Sequence, residues 1–283
     1  MKIIAYIKII RPLNFLFVIL AVLFGAFYRS SVEVSYSHPA FYYIPILAAI
    51  SAALISAAGY TLNDFFDVNI DKINCPHRPL PSGIISGISA KRYAIILFIS
   101  GNLLCLFLFN PAMSALALLN SLILWLYAQK GKRLVFISNL IVAFATASTF
   151  IYGGFANHNL KNAIFVFSCA FIYTLIRELI KDIEDMKGDK KADSRTLPII
   201  WGSKATLIIA LILSLAFTIC IHLGLNNFYT ITYYYLILIF VCLFILLDLT
   251  ILISTRSNKF FSFSSKAMKV NMLIFLIILW IGQ

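Results

Sequence analysis

Carboxylates are scarce in this chain. Only 11 of its 283 residues are Asp or Glu, against 23 Lys and Arg, and charged residues make up just 12%. A soluble globular domain carries about twice that share, so a water-soluble fold is excluded. Cysteine builds no scaffold either. The five (Cys75, Cys105, Cys169, Cys220 and Cys242) are scattered, four of them in apolar segments, as expected of buried small hydrophobes. Cys75 and His77 lie close together, but no second Cys/His pair completes a zinc set. The formal charge of +12 does not imply nucleic acid. The basic residues belong to loops, where they orient a membrane protein and meet anionic lipid or substrate.

Apolar residues are abundant: 61% of the chain is hydrophobic, and 25 residues are Phe. Nine apolar segments run at about 12–29, 40–62, 92–109, 112–129, 134–154, 161–181, 205–224, 229–253 and 267–283. Most approach the roughly 20 residues a helix needs to span a bilayer. Asn110-Pro111 breaks the uncharged stretch from Tyr93 to Gln129, and Asn226-Asn227 separates the seventh segment from the eighth. The N-terminal run, Met1 to Ala26, has no convincing cleavage site and reads as a first transmembrane helix rather than a signal peptide. The expectation is an all-α polytopic membrane protein of about nine transmembrane helices, with residues 1–283 forming one domain.

Charge sets the orientation. With nine spans, 21 of the 23 Lys and Arg fall at the N-terminus or in the loops after even-numbered helices, leaving only Arg29 and Lys161 opposite. The N-terminus and those loops are therefore expected on the cytoplasmic side.

The few carboxylates are concentrated. Asp64, Asp67 and Asp71 read D-x₂-D-x₃-D, and Asp182, Asp185 and Asp189 repeat that spacing 118 residues later. Only Glu33 and Asp248 lie outside these two neighbourhoods. On a helix, offsets of 0, 3 and 7 share one face. Three stacked carboxylates repel one another unless a cation sits between them, and hard oxygen ligands suit Mg²⁺. Both motifs end even-numbered helices, so both belong to the cytoplasmic face. The two longest loops run at roughly 63–91 and 182–204, and their parts beyond the motifs, 72–91 and 190–204, have the placement of a lid. The repeated helix–acid–loop pattern suggests an internal repeat, parallel rather than inverted.

Basic residues crowd the same stretches: Lys72, Arg78, Lys130, Lys132, Arg133, Arg177, Lys181 and Arg195. Carboxylates alone would suit a cation channel or transporter. Mixed with Lys and Arg, they suit a metal-bridged polyphosphate. Beside a Phe-rich apolar bundle, the matching substrate is a diphosphate head on a long hydrocarbon tail. For an allylic diphosphate, Mg²⁺ and basic groups stabilise the departing pyrophosphate, aromatic faces stabilise the allylic cation, and a dry pocket protects it.

These residues resemble the UbiA superfamily of intramembrane prenyltransferases, whose two Asp-rich motifs bind Mg²⁺ and an isoprenyl diphosphate. The resemblance covers nearly the whole chain. Arg11-Pro12 with Asn14 resembles the family's opening, and Tyr127 with Lys130 its Tyr–Lys element. Two strings look most like the digeranylgeranylglyceryl phosphate synthases of that superfamily: Asn63-Asp64-Phe65-Phe66-Asp67 through Arg78-Pro79-Leu80-Pro81-Ser82-Gly83, and Arg177-Glu178 through Arg195-Thr196-Leu197-Pro198. The resemblance implies that Asn63, Asp64, Asp67 and Asp71 hold one Mg²⁺, and Asp182, Asp185 and Asp189 another. It implies that Arg78, Lys130 and Lys181 contact diphosphate oxygens, and that Asn14, Tyr127 and Lys130 serve the reacting centre. Arg177 or Arg195 would read a phosphate on the acceptor. The implied reaction moves a geranylgeranyl-type group to a hydroxyl of geranylgeranylglyceryl phosphate, making an ether lipid. The alternatives are an aromatic acceptor, as in quinone or pigment synthesis, and, in another class, an ion-coupled transporter. Against the transporter, the acids sit at one face rather than at the bilayer midplane.

Other conspicuous residues have plainer readings. Asp248 lies in the eighth apolar segment, where an ionisable group is costly. His158 and His222 are near the far side and read as non-catalytic. Tyr152 with Gly153-Gly154 reads as a close helix contact.

Overall fold

A backbone in lipid must satisfy its own hydrogen bonds, and this chain does so with helices. The computed structural model describes residues 2–30, 40–130, 135–191, 194–224, 230–255 and 258–282. Among these residues there is no strand. The helices are α1 (Lys2–Ile9), α2 (Pro12–Phe27), α3 (Ala40–Phe66), α4 (Val68–Asn74), α5 (Gly87–Leu106), α6 (Pro111–Lys130), α7 (Ile137–Ala156), α8 (Leu160–Lys191), α9 (Leu197–Leu223), α10 (Ile231–Ile237), α11 (Leu243–Thr255) and α12 (Asn258–Ile281). A π-helical turn, Leu238–Cys242, joins α10 to α11. Among the described residues, eight helical stretches are long and apolar enough to cross a membrane. The pair α1–α2, bent by 52°, makes a ninth if it counts as one span.

Local sequence explains the breaks. Arg11, in the left-handed region (φ 54°), ends α1, and Pro12 opens α2. Asn110 caps α6 as its carbonyl oxygen accepts from the amides of Ala112 and Met113 at 3.1 and 3.2 Å. Gly202, at φ 83°, kinks α9, a conformation that favours glycine.

The helices overrun their apolar segments. α8 continues to Lys191, ten residues past the segment's edge at 181, and α5, α9 and α12 begin well before theirs. Apolar periodicity marks where lipid ends, whereas Lys, Glu and Asp continue a helix into water at little cost. Both acidic motifs therefore lie on helical extensions. The loop after the first motif shrinks to residues 75–86, and α9 begins at Leu197, six residues after α8 ends.

The chain forms two compact units, one comprising Met1–Gly131 with Ser148–Ile164, the other Lys132–Ala147 with Phe165–Gln283. In the first, α3 packs against α2, α5 and α6. Its buried alanines (Ala49, Ala53, Ala57 and Ala58 among them) allow close approach. α2 and α7 touch backbone to backbone. A Cβ on Gly153 would lie 1.9 Å from the Val22 carbonyl oxygen, and one on Gly25 2.0 Å from that of Phe150. Tyr152 turns its hydroxyl to Ser51 at 2.9 Å, and Ser51 donates to the Gly101 carbonyl at 2.7 Å. Tyr152-Gly153-Gly154 thus forms a close helix contact.

In the second unit the polar groups bridge α8, α11, α12 and the π turn. The Tyr173 hydroxyl lies 2.8 Å from the Met268 carbonyl oxygen and 2.9 Å from Asn271 Oδ1. Asn271 donates in turn to the Phe240 carbonyl at 2.7 Å. Phe240 belongs to the π turn, whose register change loosens a backbone acceptor, and Asn271 satisfies it. Asp248 accepts from Ser264, so the intramembrane acid has a helix partner. Cys169 and Cys220 are free thiols 3.7 Å apart. His222 bonds Tyr234 at 3.0 Å, near the end of its helix.

Candidate active site

The first acidic motif spans a joint. Asn63 and Asp64 end α3, Asp67 occupies the junction (φ −86°, ψ 4°), and Asp71 lies on α4. The helical hydrogen-bond pattern still runs through it: Asp67 N donates to Asn63 O at 2.9 Å, and Asp71 N to Asp67 O at 2.8 Å. Asp64 and Asp71 consequently share a face, as one guanidinium demonstrates. Arg78 Nη1 lies 2.7 Å from Asp71 and 3.6 Å from Asp64. Both acids are buried, and Asn63 donates to Asp67 at 2.9 Å.

Two arginines hold this motif. Arg11, at the α1–α2 bend, lies 2.6 Å from Asp64, with its guanidinium over the Tyr60 ring at 4.9 Å. Arg78 is placed by the turn at 75–86. There Cys75 O accepts from Arg78 N, and Pro79 O from Ile85 N. Leu80 and Ile85 of this turn pack against Ala5 and Ile9 of α1 and Ala90 of α5. The segment with the placement of a lid is here a turn packed against α1 and α5. Burial works against the charge on Arg78, but Asp71 and Asp64 outweigh it and hold its pKa above the ordinary arginine value.

The second motif is an unbroken helix. Asp182, Asp185 and Asp189 all lie on α8, at offsets that share a face. Asn139, buried near the start of α7, donates to Asp182 at 2.8 Å. Glu178, one turn earlier and also buried, pairs with Arg177. The Arg177 Nε is buried and has no hydrogen-bond partner, nor has the hydroxyl of nearby Thr174. Glu184 accepts from Ser265 of α12 at 2.7 Å.

The remaining expected residues are spread along the chain. Asn14 is half-buried on the first turn of α2, Tyr127 is half-buried on α6, and Lys181 and Arg195 are exposed. Lys130 closes α6, but its side chain lies outside the described residues, as do Lys132 and Arg133. Arg78 joins the first motif, and Arg177 and Lys181 lie on the helix of the second. Two residues given no role by the sequence belong to these clusters, Arg11 and Asn139. The signal for Arg11 was its place before a helix-breaking proline; for Asn139 it was a lone amide inside an apolar run.

Among the described residues, no three acidic, His or Cys side chains converge on a metal-sized site. The donor set nonetheless fits Mg²⁺. Every candidate ligand offers oxygen, and this ion takes only one or two carboxylates before phosphate and water complete its shell. Asp64 and Asp71 already draw cations to themselves, each holding an arginine at 2.6 and 2.7 Å.

The UbiA prenyltransferase family profile matches residues 18–273. A digeranylgeranylglyceryl phosphate synthase of Methanosphaera stadtmanae is 35% identical over 271 residues, 95% of each chain. That of Methanococcus maripaludis is 38% identical over 283 residues, 100% of this chain and 99% of its own. A solved structure of digeranylgeranylglyceryl phosphate synthase in membranes has a TM-score of 0.82 at 33% identity, covering 99% of this chain and 98% of that one. A UbiA homolog from Archaeoglobus fulgidus bound to GPP and Mg²⁺ shares the fold, with a TM-score of 0.65 at 17% identity over 98% and 99% of the two chains. With its helices, its paired acidic motifs and a match over nearly its full length, this integral membrane protein belongs to the UbiA prenyltransferase family.

Proposed function

We propose that this prenyltransferase moves a geranylgeranyl-type group from its diphosphate to the hydroxyl of geranylgeranylglyceryl phosphate, with Mg²⁺, to make an ether lipid. The naming of its relatives supports the reaction, and their similarity extends over the whole chain. Asn63, Asp64, Asp67 and Asp71 would hold one Mg²⁺, and Asp182, Asp185 and Asp189 another. The bound ions would neutralise the leaving pyrophosphate. Arg78, Lys130 and Lys181 donate to diphosphate oxygens, while Asn14, Tyr127 and Lys130 line the reacting centre. The carbon–oxygen bond to the diphosphate breaks, the electron pair leaves with pyrophosphate, and the acceptor oxygen closes on the allylic carbon as its proton passes to the released pyrophosphate.

The observation that carries the acceptor choice is the orphaned Nε of Arg177. A buried guanidinium N–H without a partner costs free energy, and an anionic oxygen would satisfy it. Arg195, exposed at the foot of α9, is the second candidate for the acceptor phosphate. The charge distribution supports an N-terminus and acidic motifs on the cytoplasmic side.

The test is turnover of geranylgeranyl diphosphate by purified protein with Mg²⁺, offered geranylgeranylglyceryl phosphate and a panel of aromatic acids. Ether product from the glyceryl phosphate, lost in Arg177→Met, is the expected result. Product only from a hydroxybenzoate or dihydroxynaphthoate would reject the acceptor and keep the chemistry.

A further inference from the structure

We infer that Asn139 is a positioning residue for the second acidic motif, holding one oxygen of Asp182 so that the other faces the metal. This rests on the reading that the motif binds Mg²⁺. Asn139 Nδ2 donates to Asp182 Oδ2 at 2.8 Å from a different helix, 43 residues away in sequence. Its side chain is buried, at 3% exposure, so water does not compete for the bond. The amide nitrogen faces the carboxylate, whose oxygen accepts from it. The opposite end of the amide takes a long hydrogen bond from the Ser138 hydroxyl at 3.5 Å. A tight turn before α7, with Phe136 at φ 60° and Leu140 N donating to Phe136 O at 3.1 Å, sets the first helical residues in place.

The first motif uses the same device internally. Asn63 donates to Asp67 at 2.9 Å. The second motif carries Lys181 where the first has Asn63, so it has no amide of its own, and α7 provides one. A neutral donor suits the task. It fixes a carboxylate rotamer and leaves the negative charge for a cation, whereas an Arg or Lys in that place would cancel it. Asn139 therefore differs in kind from Arg11, which meets Asp64 with a full positive charge.

The experiment is a Mn²⁺ titration followed by electron paramagnetic resonance, with inorganic pyrophosphate present. It uses full-length Asp67→Ala protein, so that the second motif's ion dominates the reading. Asn139→Ala should weaken Mn²⁺ binding about 10- to 100-fold, the usual cost of removing a residue that orients a metal ligand. Asn139→Gln, which keeps the amide, should recover part of that loss. In an Asp182→Ala background, Asn139→Ala should change nothing further, because it acts through that carboxylate. A fall in melting temperature with unchanged Mn²⁺ affinity would make Asn139 a helix staple and overturn the inference. So would additive losses in the double variant. If Asp182→Ala itself binds Mn²⁺ undiminished, the metal reading of the motif falls, and the inference with it.

Discussion

Arg11 is the arginine whose removal tests the electrostatics of the first motif most directly. Its guanidinium lies 2.6 Å from Asp64, which keeps only 4% of its surface in water. In Arg11→Ala the nearest remaining cation is Arg78, 3.6 Å away and already engaged by Asp71 at 2.7 Å. Removing one partner of a fully buried pair costs about 3–5 kcal/mol, and of a surface pair about 0–1 kcal/mol. The Arg11 side chain is 33% exposed, so solvent screening places the loss between these, at about 1–2 kcal/mol. For a chain of this size that lowers the apparent melting temperature by about 2–8 °C. The assay is thermal unfolding in detergent, without divalent metal and then with Mg²⁺. On the proposed Mg²⁺ reading, the ion would compete with Arg11 for Asp64 in the wild type, while in Arg11→Ala it would meet a carboxylate held only by the more distant Arg78. Mg²⁺ should therefore raise the variant's melting temperature more than the wild type's, and the gap between them should narrow. Arg11→Lys, which keeps the charge and loses the planar fork, should fall between the two. Equal melting of wild type and Arg11→Ala without metal, or a gap that Mg²⁺ leaves unchanged, would refute the reasoning.

Other outcomes follow from the same structure. Asp67→Ala and Asp185→Ala should each lower prenyl transfer at least about 100-fold while keeping the helical circular dichroism spectrum; retained turnover in both would reject the metal assignment. Gly153→Ala should destabilise by about 3 kcal/mol or more, since its Cβ would fall 1.9 Å from the Val22 carbonyl oxygen and neither backbone can yield. A melting curve matching the wild type would contradict that contact. Tyr173→Phe should cost about 1–3 kcal/mol in unfolding experiments, because it removes the one hydroxyl hydrogen that the Met268 carbonyl oxygen and Asn271 Oδ1 share.

Much of the fold was legible, for reasons particular residues make plain. The Asn110-Pro111 break is a real helix boundary because proline suits a helix's first position and the Asn side chain caps it. The closeness of α2 and α7 at Gly153 follows from a side chain that is missing. The 52° bend after α1 was not legible: Met1 to Ala26 reads as a single first helix, and the positive φ of Arg11 leaves no mark in hydropathy. The length of the acidic helices was missed likewise, since apolar periodicity stops at the lipid boundary and α8 does not. In the site, the carboxylates announced themselves by spacing. Their partners did not, because Arg11 and Asn139 lie 53 and 43 residues from the acids they hold.

The sequence by itself determined that this is a helical membrane protein with two matched acidic motifs on cation-rich helix ends. Those properties are written in composition and local spacing, and each needs only a neighbour within a turn or two. Tertiary structure alone decided which groups hold the acids: arginines from a helix bend and a packed turn on Asp64 and Asp71, and a neutral amide from another helix on Asp182. Such pairings depend on where distant segments meet when the helices pack, and burial there makes one hydrogen-bond donor worth far more than the same donor in water.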